Sequence, residues 1–213
     1  MIYNFLASIL SKSLHRLFFS LKNRTYVQSK LTEYTIMHII KQKYHTTYIE
    51  DYIKNLYHSL FIFVPEKIDM IQIAQNLNIW LHFAPLGSRA ICRNNLPSII
   101  IDNRKPHYHQ WEDFGHELCH ILFHEGNQLH IPKTFLDYQE AKANNFMLHF
   151  CIPTFMLRQL ELPNTKLEAI HLIVETFNVS FETAHKRLLY YENQLLANYL
   201  QKTFSKACCL TTP

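Results

Sequence analysis

Between residues 79 and 102 the apolar residues of this chain change their period. Ile79-Trp80-Leu81-His82-Phe83 reads as a strand and Gly87 marks a turn. Arg89-Ala90-Ile91-Cys92 reads as a second strand, Asn94-Asn95 as another turn, and Ser98-Ile99-Ile100-Ile101-Asp102 as a third strand. On either side the apolar spacing is helical. Residues 46–60 place Ile49, Tyr52, Ile53, Leu56, Tyr57 and Leu60 on one stripe, with Thr47 and Glu50 spaced as a capping box. Further helices are expected over about 66–77, 110–124, 136–150, 166–177 and 181–201. Pro153 ends the helix over 136–150, and Asn178-Val179-Ser180 separates the last two. A small sheet between helical runs makes the expected fold α+β. The turns are too short for parallel crossovers, so the sheet is expected to be antiparallel.

Composition narrows the functions open to such a fold. Of 213 residues, 48% are apolar and 18% charged, the balance of a globular chain. Glycine occurs three times, at Gly87, Gly115 and Gly126, so neither a phosphate loop nor a dinucleotide fingerprint can be written. A net charge of +4 permits association with acidic partners without demanding nucleic acid. Five cysteines, an odd count with no CxxC pair, suit reduced thiols and a cytoplasmic location. Residues 2–10 are apolar, and Leu14, Leu17, Phe18 and Leu21 continue the pattern between Lys12, Arg16 and Lys22. That is a basic amphipathic pattern, suited to docking or to a membrane surface. It falls short of the roughly 20 uninterrupted apolar residues of a membrane span. A poorly specified extension is the plainer reading, and the regular pattern begins soon after Met37.

The chemistry is concentrated in His116-Glu117-Leu118-Cys119-His120, which fits HExxH. Residues four apart on a helix lie one above the other, so both imidazoles can reach one Zn²⁺ at nitrogen–metal distances of about 2.0–2.1 Å. Glu117 is turned by about 100° from His116. It can sit beside the metal without ligating it and accept a proton from the attacking water. The bare motif fits an ordinary amphipathic helix equally well. A third protein ligand is needed. The pattern HExxHxxGxxH fails, because Phe123 occupies the glycine position and Gly126 the third-histidine position. A glutamate on a following helix is the other route. Glu140 lies twenty residues after His120, beyond a proline-containing connection, and Asp137 is a shorter and earlier alternative.

Glu140-Ala141-Lys142-Ala143-Asn144, Phe146 and then Cys151-Ile152-Pro153 resemble the E-x-x-A-N-x-F…P segment of the ImmA/IrrE family of metallopeptidases. The family's HELGH, with a histidine four residues later, is matched by HELCH and His124. The resemblance spans about residues 48–190 and includes Phe177-Asn178-Val179-Ser180. It implies a gluzincin-like site with His116, His120 and Glu140 as zinc ligands and Glu117 as base. It further implies a peptidase that cuts helix-turn-helix repressors of mobile elements or stress pathways. Cys119 departs from the family's usual glycine.

Other residues are open to two readings. Asn144, one turn after Glu140, could hold a ligand histidine's free N–H or be a surface amide. His124 could join the metal surroundings or cap its helix. Tyr138, His149, Tyr108 and His109 suit oxyanion stabilisation by type, and spacing fixes none of them. Leu167 to Leu188, with Lys186-Arg187, looks like a helix-turn-helix, but its basic residues are too few to favour direct nucleic-acid binding. The expected organisation is an extension over 1–36, a metallopeptidase core over 37–155, a helical portion over 156–205 and a tail over 206–213. The rival reading is a non-catalytic regulatory module whose C-terminal helices bind DNA or a repressor.

Overall fold

A computed structural model describes residues 44–93, 96–123, 132–163 and 165–209, with side chains as far as Asn198. The expectations for residues 1–36 and for His124 lie outside the described residues. In chain order the elements are α1 (Tyr48–Ser59), a 3-10 turn (Pro65–Lys67), α2 (Met70–Asn76), β1 (Trp80–Ala84), β2 (Arg89–Arg93) and β3 (Leu96–Asp102). Then follow α3 (His107–Phe123), α4 (Lys133–Cys151), α5 (Thr154–Leu157), α6 (Lys166–Phe177) and α7 (Phe181–Cys209). The fold is α+β, as the change of period predicts. No helix among the described residues is long and apolar enough to cross a membrane.

One expectation about the sheet is corrected. The strand order is β1-β3-β2. β2 and β3 form the expected antiparallel hairpin, with Ala90 opposite Ile99. β1 runs parallel to β3, with Leu81 opposite Ile99. The parallel partners are not consecutive. All of β2 lies in the connection between them, which supplies the length that a parallel pairing needs.

Helix ends show how a chain so poor in glycine stops its helices. Among the described residues three outside glycine have positive φ: Phe61 (57°), Asn78 (56°) and Asn178 (49°). Each follows a helix. After α2, Ile79 N–H reaches Ala74 O (2.8 Å) and Asn78 N–H reaches Gln75 O (3.0 Å). That is a Schellman closure with asparagine in glycine's usual place. After α1 the same pair of bonds forms at Ile62 and Phe61. At the start of α1, Glu50 accepts from the N–H of Thr47 at 2.7 Å, the backward arm of the expected capping box.

The core lies between the sheet and two long helices. Ile99 and Ile101 on the inner face of β3 are fully buried, as are Phe114 and Leu118 of α3 and Ala143, Phe146 and Phe150 of α4. At about 2 kcal/mol for each fully buried large side chain, this cluster is the principal stabilising unit. Phe146 and Phe150 stack at 5.6 Å, and Trp111 packs on Phe150 at 5.2 Å. Gly115 permits the close approach of α3 and α4. A Cβ there would stand 3.1 Å from both Cys151 Sγ and the Phe150 ring. Behind this unit, α7 buries Ala184, Leu188, Tyr191 and Leu195 along one stripe.

Candidate metal centre

The face of α3 opposite its core stripe carries His116 and His120 one turn apart, and α4 brings Glu140 across to them. His120 Nε2 lies 3.2 Å from His116 Nε2. Glu140 Oε2 lies 3.1 Å from His116 Nε2, and Glu140 Oε1 lies 3.4 Å from His120 Nε2. A tetrahedral ion with bonds of about 2.0–2.1 Å has ligand–ligand edges of roughly 3.3–3.4 Å. The two imidazole nitrogens and the two carboxylate oxygens stand close to the spacing that such a site requires, and the group could hold a metal ion. Two nitrogens, one carboxylate and an open fourth position are the donor set of a hydrolytic centre. The His120 side chain is 7% exposed, His116 21% and Glu140 43%, so the site opens on the Glu140 side.

Glu117 stands beside this group. Its Oε2 accepts the N–H of Ala90 at 2.7 Å. β2 is an edge strand, and its outward edge is turned to the carboxylate. Burial raises the Glu117 carboxyl above the usual carboxylate range. His116 and the Ala90 N–H oppose that rise, while Asp113 and Glu140 add to it. Asp113 is tied by Ser88 Oγ and by Lys105 Nζ at 2.7 Å. Burial likewise lowers His120 below its usual 6.5, keeping a neutral imidazole with a lone pair to give.

Other positions named from sequence fall elsewhere. Asp137 and Asn144 are exposed. Ala143 and Phe146 take the inward face of that turn of α4. Tyr138 is two residues before Glu140, about 200° round the helix, and projects to solvent. Tyr108 and His109 lie at the start of α3, about 10 Å along the axis from His116 in the case of His109. His109 pairs with Glu112 at 2.8 Å. His149 is buried near Glu50. Cys119 points into the core and is fully buried. Burial pushes its thiol up to about 12, so it packs as a small apolar group and offers no thiolate.

The helix-turn-helix connectivity is present as α6, the Asn178 turn and α7. Its basic pair is already engaged. Arg187 is fully buried beside Glu50, and Lys186 pairs with Glu182 at 2.6 Å. The turn is anchored to α3, where Ser180 N–H donates to Glu112 Oε1 at 2.7 Å. Sequence reasoning missed Ala90, because a backbone donor leaves no signature in residue type.

Comparison with known sequences agrees with this geometry. The sequence model of the IrrE N-terminal-like domain, peptidase family M78, matches residues 74–189. The chain belongs to this family. The match begins in α2 and ends in α7, so it takes in the sheet, both ligand-bearing helices and the helix-turn-helix. Among IrrE-like relatives, the phage-like element PBSX protein XkdA of Bacillus subtilis is 46% identical over 156 residues, 73% of this chain and 79% of that protein. The uncharacterized protein YqaB of the same organism is 40% identical over 167 residues, 78% of this chain and 97% of that protein.

Proposed function

We infer that this member of the family is a zinc-dependent endopeptidase whose substrate is a helix-turn-helix repressor of a mobile element. The observation that carries the reading is the meeting of His116, His120 and Glu140 at tetrahedral spacing with Glu117 alongside. Two imidazoles and a carboxylate suit Zn²⁺, which when bound lowers the pKa of water and polarises a carbonyl. His116 and His120 would hold it through Nε2 and Glu140 through its carboxylate. Glu117 takes the proton of the attacking water and delivers it to the amine that leaves as the peptide bond breaks. Ala90 fixes the orientation of Glu117 through one oxygen and leaves the other for the water. The relative named for a phage-like element supports a mobile-element setting, and the family resemblance supports a repressor as substrate.

Two variants test this. Metal content after purification should be about one zinc per chain in the parent and should fall in Glu140→Ala. Equal zinc in both would remove Glu140 from the ligand set. Glu117→Gln should keep its zinc and leave a co-expressed repressor from the same element intact. Cleavage persisting in Glu117→Gln would overturn the proposed chemistry, and no cleavage by the zinc-loaded parent would favour the non-catalytic module.

A further inference from the structure

Strand alternation and register determine what the sheet shows on its outward face. Trp80, Ser98 and Ile91 form one cross-strand row, His82, Ile100 and Arg89 the next, and Arg93 stands beside Leu96. The opposite rows hold Ile99 and Ile101, both fully buried. On the outward face Trp80 is 61% exposed, Leu96 55% and Ile91 39%. Arg89 and Arg93 are exposed too. Among the described residues neither guanidinium meets a carboxylate. Arg89 donates only to Gly87 O, at 3.3 Å. Arg104, Lys105, Lys166 and Lys186, by contrast, each have an acidic partner. Asp102, the one carboxylate of the three strands, is buried and bound by Arg104. The face therefore offers an apolar patch with two uncompensated positive charges.

Its position matters as much as its composition. Ala90 lies between Arg89 and Ile91 and sends its N–H from the strand edge to Glu117. The strand that displays Arg89, Ile91 and Arg93 is the one that borders the candidate centre.

We propose that this face is an exosite for a folded protein whose complementary surface is an apolar ridge flanked by carboxylates. Docked there, the partner's adjoining segment crosses the β2 edge in front of Glu117. The inference rests on the peptidase reading for its purpose, and on the face alone for its chemistry. The charge selects an acidic partner. The aliphatic side chains of Ile91, Leu96 and Ile100 select a polypeptide. A single-stranded nucleic acid takes a run of aromatic rings, whereas here Trp80 and His82 lie on one strand only, 6.3 Å apart.

The test uses the full chain carrying Glu117→Gln, so that nothing is cut. The probe is a short fluorescent helical peptide with leucine on one face and glutamate along its flanks. A twin peptide has lysine for every glutamate. The glutamate peptide should bind, and Arg89→Glu with Arg93→Glu should weaken it by about tenfold or more. The lysine peptide should ignore the parent and bind the charge-reversed protein. Leu96→Ser should weaken the glutamate peptide without changing its preference over the twin. The substituted side chains are exposed, so thermal melts of the variants should overlay the parent. No binding of the glutamate peptide, binding that survives charge reversal, or an oligothymidylate binding in its place would each overturn the proposal. Peptide binding needs neither zinc nor Glu117. A failure of cleavage with intact binding therefore sinks the peptidase reading alone.

Discussion

Replacing Glu50 by glutamine removes one charge from the interior and turns one of its two acceptor oxygens into a donor. The carboxylate is saturated. It accepts from Tyr44 Oη and Thr154 Oγ1, each at 2.5 Å, and from Thr47 N–H at 2.7 Å and Thr47 Oγ1 at 2.9 Å. Burial alone would push its carboxyl up, but these hydrogen bonds outweigh that and hold it below the usual range. Arg187 stands 3.6 Å away, and both side chains are wholly buried. The guanidinium also donates to Thr154 Oγ1 at 2.6 Å and to Ile152 O at 3.1 Å. Breaking a buried pair from one side costs about 3–5 kcal/mol, because the remaining charge is uncompensated. For a chain of this size each kcal/mol corresponds to roughly 2–4 °C, so Glu50→Gln should lower Tm by roughly 6–20 °C. Adding Arg187→Met removes the stranded charge, and the double variant should be more stable than Glu50→Gln alone. Urea unfolding of the parent, Glu50→Gln, Arg187→Met and the double variant, followed by far-UV circular dichroism in chelator, gives the four free energies of the cycle. A loss below about 1 kcal/mol in Glu50→Gln, or strict additivity in the double variant, would refute the reasoning.

Three further outcomes follow from the same structure. Gly115→Val places branched carbon where a Cβ already meets Cys151 Sγ and the Phe150 ring at 3.1 Å; overpacking should cost about 1–3 kcal/mol in urea unfolding and weaken zinc binding in a competition titration. Chelation should lower Tm, by about 2.7 kcal/mol worth of stability if free zinc stood a hundredfold above Kd, and His120→Ala should abolish the response. Burial, reinforced by the charge of Arg187, lowers His149 from its usual 6.5 to about 3. The unfolded chain therefore takes up this proton first, and stability should fall as pH drops from 6.5 toward 3, by up to about 1.4 kcal/mol per unit. His149→Phe, measured without metal so that His116 and His120 do not contribute through zinc, should flatten that slope. An unchanged slope would show that His149 is not the group responsible.

Local pattern made much of this molecule legible, and the exceptions share a cause. The stripe of Ile53, Leu56 and Tyr57 marked α1, and the alternation around Ile99 marked β3, because one buried face imposes a period on the chain. The meeting of His116, His120 and Glu140 was readable because helical spacing fixes two of them and the connection length permits the third. Strand order was not readable, since each strand's own pattern is the same whichever neighbour it takes. Arg187 looked like half of a basic surface pair, and its counter-charge, Glu50, sits in α1 at the other end of the described chain. Cys119 is explained only by burial: α3 turns that position inward, where a small apolar group packs.

Arg187, which the sequence placed on the surface, is one of several contacts that hold α4 against its neighbours. Glu140 lies ten residues before Phe150 on α4, about 15 Å along the axis. A helix tilted by roughly 4° about its Phe150 end would carry the Glu140 carboxylate through about 1 Å at that distance, whereas metal–ligand distances tolerate about 0.2 Å. The contacts at the far end therefore set the ligand spacing as firmly as anything near the ion. Gly115 fixes the approach of α3 to Phe150 and Cys151, Tyr57 Oη donates to Phe150 O at 2.9 Å, and Arg187 binds Ile152 O just beyond the last turn. A cation at a helix C-terminus also suits the dipole there. On this argument α1 and α7 contribute to the metal centre without approaching it, by fixing the end of the helix that carries its third ligand.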